Sequence, residues 1–301
     1  MQFIHTAFAL GLSPGVEVNS LASWCALATQ ALMPTSGQVA LARQAPPHSA
    51  ADAVRRGAKI AQVQGSAAVH LLRSSQDPVD FVARWNLLNE AVPSKHVTRL
   101  QWDGASALRL HHGHRSDAPA AQSQLYATTA LCAGLGSLGL RLVCKGLVFD
   151  GAQVLGQPDS DLRPGTWVIE LLGETKRAAV PNPVSQPVVP PVLATLWQAL
   201  ELEPGRPWTL EQAAQTAELS PRALQRVMAA QGVTWPQWVR AVRLHAASHR
   251  ILDGSMALTQ VAHELGFSDS AHFSRGFRTA AGMAPSVYRA VAHGRNRWRA
   301  V

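Results

Sequence analysis

The chain has 301 residues, enough for two domains with separate cores, and 47% of them are apolar. A net charge of +8 points to a polyanionic partner. No apolar run is long and charge-free enough to span a bilayer, the N-terminal stretch lacks the cationic segment of a secretory signal, and Cys25, Cys132 and Cys144 follow no disulfide or zinc-ligand spacing. A cytoplasmic location with reduced, buried thiols is therefore expected.

Residues 1–178 read as a mixture of helix and strand. Val18–Met33 and Ala51–Ile60 have helical patterns. Pro78–Asn89 is a clearer helix, since Asp77 can cap it, Pro78 suits its first turn, and Phe81, Trp85 and Leu88 make one apolar face. Val97–His112 alternates about an Asp103-Gly104 turn and predicts a hairpin. Gln122–Leu140 returns to a helical pattern, and Leu140–Phe149 and Thr166–Leu172 read as strands. Residues 179–191 form a linker, because Pro181–Pro191 holds five prolines in eleven residues and can sustain neither helix nor sheet.

Beyond the linker, residues 192–301 read as all-helical. Val192–Leu202 is amphipathic through Leu193, Leu196, Trp197 and Leu200. Thr209–Gly232 holds two short helices: Thr209 and Gln212 make a capping box, and Ser220-Pro221 is a strong helix start. Leu224 and Met228 face inward, leaving Arg222, Gln225, Arg226 and Ala229 outward. Pro236–Leu252 reads as one long connecting helix. Ser255–Arg289 repeats the two-helix pattern about Gly266, with Ser268 or Asp269 as the cap of its second helix. If Phe273 and Phe277 face the core, Ala271, Ser274, Arg275 and Arg278 lie opposite. Glu218 stands where the second unit has Gly266, and a non-glycine there costs about 1 kcal/mol where φ is positive. From Gly205 onward there are twelve arginines, no lysine and five acids, so most of the positive charge sits in this part. The planar guanidinium suits paired contacts to phosphate and base edges.

Gly266, Phe267, Phe273, Arg275, Phe277, Gly282, Pro285 and Tyr288 closely resemble the second helix-turn-helix of the AraC/XylS family of bacterial transcription regulators. With the weaker first unit and the connecting helix, the resemblance covers the last third of the chain. It implies a sequence-specific regulator that binds promoter or operator double-stranded DNA, with RNA polymerase and a second copy of the chain as further partners. The helices Pro221–Gln231 and Ser270–Ala280 are then expected in successive major-groove segments. Carried onto this sequence, the DNA-contacting set is Arg222, Gln225, Arg226, Ser270, Ala271, His272, Ser274, Arg275 and Arg278. Arg243 is a further candidate for phosphate contact, and the tail with Arg295, Arg297, Trp298 and Arg299 reads as mobile rather than as a DNA grip. The order of elements in residues 1–178 is similar to the arabinose-binding-type regulatory domain, which implies a small-molecule effector site, a dimerising role, or both. No ligand residue follows from that similarity.

The sequence holds no GxSxG, no phosphate-cradling lysine loop and no HExxH, so neither catalytic activity nor a cofactor is expected. An alkyl-transfer enzyme fused to a DNA-binding module would need an activated thiol, and the three cysteines sit in apolar contexts. His111, His112 and His114 cluster at a strand end but read as a polar edge rather than a metal site.

Overall fold

The computed structural model describes residues 3–5, 20–34, 49–58, 65–90, 96–114, 121–136, 139–150, 153–163, 165–174 and 187–293. In chain order these form β1 (Phe3–His5), α1 (Leu21–Thr29), β2 (Leu32–Pro34), α2 (Ala50–Ala58), α3 (Ala67–Arg73), α4 (Pro78–Glu90), β3 (His96–Trp102), β4 (Ala107–His114), α5 (Ala121–Gly136), β5 (Leu140–Cys144), β6 (Leu147–Asp150), β7 (Gln153–Gly156) and β8 (Thr166–Glu174). A 3₁₀ turn at Pro191–Leu193 then leads into α6 (Ala194–Leu202), α7 (Leu210–Thr216), α8 (Pro221–Ala230), α9 (Trp235–Asp253), α10 (Leu258–Glu264), α11 (Ser270–Ala281) and α12 (Pro285–Ala292). The chain divides into an α+β unit and a helical unit.

The α+β unit is built on a six-stranded antiparallel sheet of order β3-β4-β8-β5-β6-β7. Alternation buries Leu100, Leu108, Leu110, Phe149, Trp167 and Ile169 on one face, against Phe81 and Trp85 of α4 and Tyr126, Leu131 and Leu135 of α5. As the sequence predicts, Asp77 accepts the Asp80 N–H at 2.8 Å to start α4. The hairpin turn is held by Asp103, whose Oδ1 accepts from the backbone N–H groups of Ala105, Ser106 and Ala107. Leu140–Phe149, expected as one strand, is instead the hairpin β5–β6. The chain reverses at Lys145-Gly146, where φ is +49° and +76°. Two positive φ values match the twist of a two-residue hairpin turn, and a lysine in the first position hides that turn from a composition-based reading.

The helical unit takes more of the chain than residues 192–301. It also includes residues 20–31 and 65–71 among those described, which the sequence assigns to the N-terminal domain. The reason is a stripe on α1: Leu21, Trp24, Cys25 and Ala28 recur at helical spacing and are buried in one core with Leu196, Trp197, Leu200, Leu224, Met228 and Trp238. Trp24 meets Trp197 edge-to-face at 4.9 Å between ring centroids, and Trp197 stacks on Trp238 at 6.2 Å. Two hydrogen bonds tie the early segments in: the Ala31 N–H donates to the Thr279 carbonyl at 2.8 Å, and the Tyr288 hydroxyl donates to the Ala67 carbonyl at 2.8 Å. Sequence periodicity identifies the helix but carries nothing about its partner. The second half of the unit is organised by an aromatic chain, Phe267–Phe273–Phe277–Tyr288, with successive centroids 5.1, 5.8 and 5.1 Å apart.

Candidate nucleic-acid interface

α7–α8 and α10–α11 are two helix–turn–helix units joined by α9, and their turns close with the same hydrogen bonds. In the first, Glu218 N–H donates to Gln215 C=O at 3.0 Å and Leu219 N–H to Ala214 C=O at 2.8 Å. In the second, Gly266 N–H donates to His263 C=O at 3.0 Å and Phe267 N–H to Ala262 C=O at 3.1 Å. These bonds satisfy the last carbonyls of each first helix and require a left-handed residue at the turn. Glu218 (φ +54°) and Gly266 (φ +70°) both supply it.

The starts of the two second helices differ. Ser220 Oγ accepts the Ala223 N–H at 3.2 Å, with Pro221 in the first helical position. Asp269, not Ser268, caps α11, its Oδ1 accepting the His272 N–H at 2.6 Å. That bond, a hydrogen bond from Ser268 and the nearby Arg275 charge hold the Asp269 carboxyl below the usual carboxylate range, in that order of importance. The second unit therefore spends one more residue in its turn, and its second helix is longer, 12 residues against 10. Upstream, Thr209 and Gln212 form the expected reciprocal cap, each accepting the other's backbone N–H at 3.2 Å.

Burial then decides which face is presented. On α8, Leu224 and Met228 are buried, and Arg222, Gln225, Arg226 and Ala229 are exposed. On α11, Phe273 and Phe277 are buried, and Ser270, Ala271, His272, Arg275 and Arg278 are exposed, with Ser274 half-buried. His272 is partly engaged already, its Nδ1 3.2 Å from Ser268 Oγ. Among the described residues, none of Arg222, Arg226, Arg275 and Arg278 forms an ion pair. Glu264, which stands near enough in sequence to neutralise Arg275, is instead held by Arg250 at 3.2 Å and by Gln260 at 3.1 Å. Each of the two second helices thus exposes two guanidiniums that form no ion pair, groups suited to attract phosphate and to reach base edges.

Arg243 is half-buried and already engaged within the protein. Its Nε, Nη1 and Nη2 donate to the carbonyls of Pro204 (3.2 Å), Gly266 (3.0 Å) and Arg206 (3.2 Å). Partial burial pushes its pKa down from the usual arginine value. Arg243, read from sequence as a phosphate contact, thus clamps the α10–α11 turn to the loop before α7. The close fit explains Gly266 a second time, because a Cβ there would stand 2.6 Å from the Gly205 oxygen and 3.1 Å from the Arg243 guanidinium carbon. A residue the sequence reading passed over is Arg240. It is exposed on α9, with its Nη2 3.8 Å from where a Cβ on Gly276 would lie, beside α11. Its only sequence signal is a cation on the polar side of a long helix. Arg295, Arg297, Trp298 and Arg299 lie outside the described residues.

The cysteines are not exposed thiols. Cys25, Cys132 and Cys144 are free and buried, and burial pushes the Cys25 and Cys144 thiols up to about 12 and Cys132 well above its ordinary value. Such thiols are poor nucleophiles. His111 Nδ1 lies 3.3 Å from Thr166 Oγ1, while the His112 and His114 side chains are outside the described set. Among the described residues, no helix is long and apolar enough to cross a membrane.

Residues 213–290 match the model of a helix-turn-helix domain family. The transcriptional activator NphR of Rhodococcus sp is 36% identical over 81 residues, which is 27% of this chain and 24% of NphR. An AraC-like transcription regulator of Streptomyces lividans is 31% identical over 100 residues, 33% of each chain. The ornithine utilization regulator of Pseudomonas aeruginosa is 36% identical over 98 residues, covering 33% of this chain and 29% of that one. The chain thus spans about a quarter to a third of the length of these curated relatives. Among solved structures, a transcriptional regulator with an AraC-type DNA-binding domain from Chromobacterium violaceum aligns with a TM-score of 0.33 and 24% identity, covering 34% of this chain and 92% of that one.

Proposed function

Because its C-terminal part is a helix-turn-helix domain of the AraC/XylS family, we propose that this chain is a sequence-specific DNA-binding transcription regulator. The observation that carries the reading is the pair of exposed helix faces on α8 and α11, each with two arginines that form no ion pair among the described residues, within one helical unit. Gln225, Arg226 and Arg275 read bases, and Arg222, Arg278 and Arg240 hold phosphate. Ser270, Ala271, His272 and Ser274 line the approach of α11. Two readers on one unit address two successive major-groove segments, a site of roughly two helical turns.

The α+β unit receives a small-molecule effector, and a second copy of the chain and RNA polymerase are further partners. An effector changes transcription only through a difference in its affinity for two states of the protein. In vitro selection of bound duplexes, repeated with candidate metabolites, tests both layers. A recovered consensus of about two helical turns supports the reading, and a metabolite that shifts its occupancy identifies the effector. Recovery of unenriched DNA at every round refutes sequence-specific recognition.

A further inference from the structure

Within the helical unit, away from α8 and α11, three imidazoles converge. His245 and His249 lie on α9 one turn apart, the i, i+4 spacing that puts two histidines on one helix face. His70, on α3, meets both. Ring centroids are 4.9 Å apart for His70–His245, 4.5 Å for His70–His249 and 4.7 Å for His245–His249. One ring nitrogen from each lies within 4.8 Å of the other two, the only such group of metal-binding side chains among the described residues.

The surrounding hydrogen bonds set the tautomers. Ser248 Oγ donates its single hydrogen to the His245 carbonyl at 2.7 Å. Its contact with His70 Nδ1 at 3.1 Å must then be donated by the imidazole, which puts the His70 lone pair on Nε2. His245 donates a ring N–H to the Gly65 carbonyl, yet its Nδ1 is buried and makes no hydrogen bond. A buried, unpartnered acceptor is costly without a ligand. His245 thus donates one ring nitrogen to a carbonyl and presents the other, the arrangement found at metal centres. His249 is exposed and leaves one side of the group open.

We propose that His70, His245 and His249 form a binding site for one zinc-class divalent cation, with the fourth coordination position open on the His249 side. Zinc–nitrogen bonds of 2.0–2.1 Å at tetrahedral angles place the ligating nitrogens about 3.3 Å apart, so binding requires the rings to close by roughly 1.5 Å. The exposed His249 has room to make that movement. A cation there fastens the segment carrying His70 to the helix that joins the two DNA-reading units.

Zinc titration of the purified full chain against a chromogenic chelator tests this, with cobalt(II) absorption as a report of coordination. One equivalent of zinc is expected to bind with sub-micromolar affinity, and His249→Ala to weaken it at least tenfold with an unchanged metal-free melting temperature. His70→Gln, which keeps a donor toward Ser248, is expected to weaken it likewise. A double His112→Ala, His114→Ala variant is expected to bind zinc as the parent does. Absence of stoichiometric binding overturns the proposal. So does full affinity in His249→Ala and His70→Gln, or loss of binding in the His112, His114 variant alone.

Discussion

Glu218 and Gly266 occupy the same point in two turns that close with the same pair of hydrogen bonds, and both adopt positive φ, +54° and +70°. Only the second is glycine, and there the Gly205 carbonyl presses against the position a Cβ would take. Glu218, with a Cβ at positive φ, carries conformational strain. Glu218→Gly is expected to raise stability by about 0.5–1 kcal/mol, less than the full left-handed penalty because glycine also gains freedom in the unfolded chain. Gly266→Ala is expected to lower stability by more than about 1 kcal/mol, since it adds a clash to the same strain. Urea unfolding of both variants checks the pair; equal effects at the two sites would contradict it.

Arg243 joins three carbonyls from two loops, so its removal leaves all three short of a donor. Arg243→Met, which keeps the aliphatic stem, is expected to destabilise the helical unit by about 2 kcal/mol. The salt dependence of DNA binding is expected to stay unchanged, because a structural arginine releases no counterion from DNA. A reduced salt slope with intact stability would return Arg243 to the phosphate-contacting set.

Trp24 is fully buried in a core whose members outside α1 lie more than 160 residues further along the chain. Trp24→Ala is expected to destabilise that unit by about 3–5 kcal/mol, the range for emptying a buried tryptophan site. Denaturant unfolding followed by DNA-binding competence measures it. Unchanged competence at moderate urea would mean that α1 is dispensable to the helical unit.

Asp269 ties helix stability to pH. Its carboxyl is held below the ordinary carboxylate pKa, first by the His272 N–H and then by Ser268. A depressed folded-state pKa gives stability that is present above the unfolded value and is lost as pH falls through the folded one. Acidification below about pH 4 is therefore expected to fray α11, and Asp269→Ala to remove that part of the acid response. Amide exchange at the start of α11 in the two proteins, compared between pH 6 and pH 3, provides the check.

The helical unit was legible because its signals are local. The Thr209 capping box, the Ser220-Pro221 start and the Phe273/Phe277 stripe each act within one or two turns. What sequence could not supply were partners distant along the chain. α1 was readable as a helix, but its burial against Trp197 and Trp238 depends on shape across the fold. The three carbonyls that occupy Arg243 likewise come from loops whose approach no periodicity encodes. The histidine group shows both cases at once: His245 and His249 stand at a recognisable spacing, whereas His70 joins them only through the fold. In the α+β unit, Asp77 and Asp103 announced a helix start and a turn, while Lys145 concealed a hairpin by taking a conformation usually left to glycine or asparagine.

The central claim is that α8 and α11 read DNA sequence, and the most direct test is the affinity of Arg226→Ala and Arg275→Ala for a selected duplex and for unrelated DNA. Each substitution is expected to weaken specific binding about tenfold or more, equivalent to the loss of one bidentate base contact, with a much smaller effect on unrelated DNA. Full specific affinity in both variants would contradict the account.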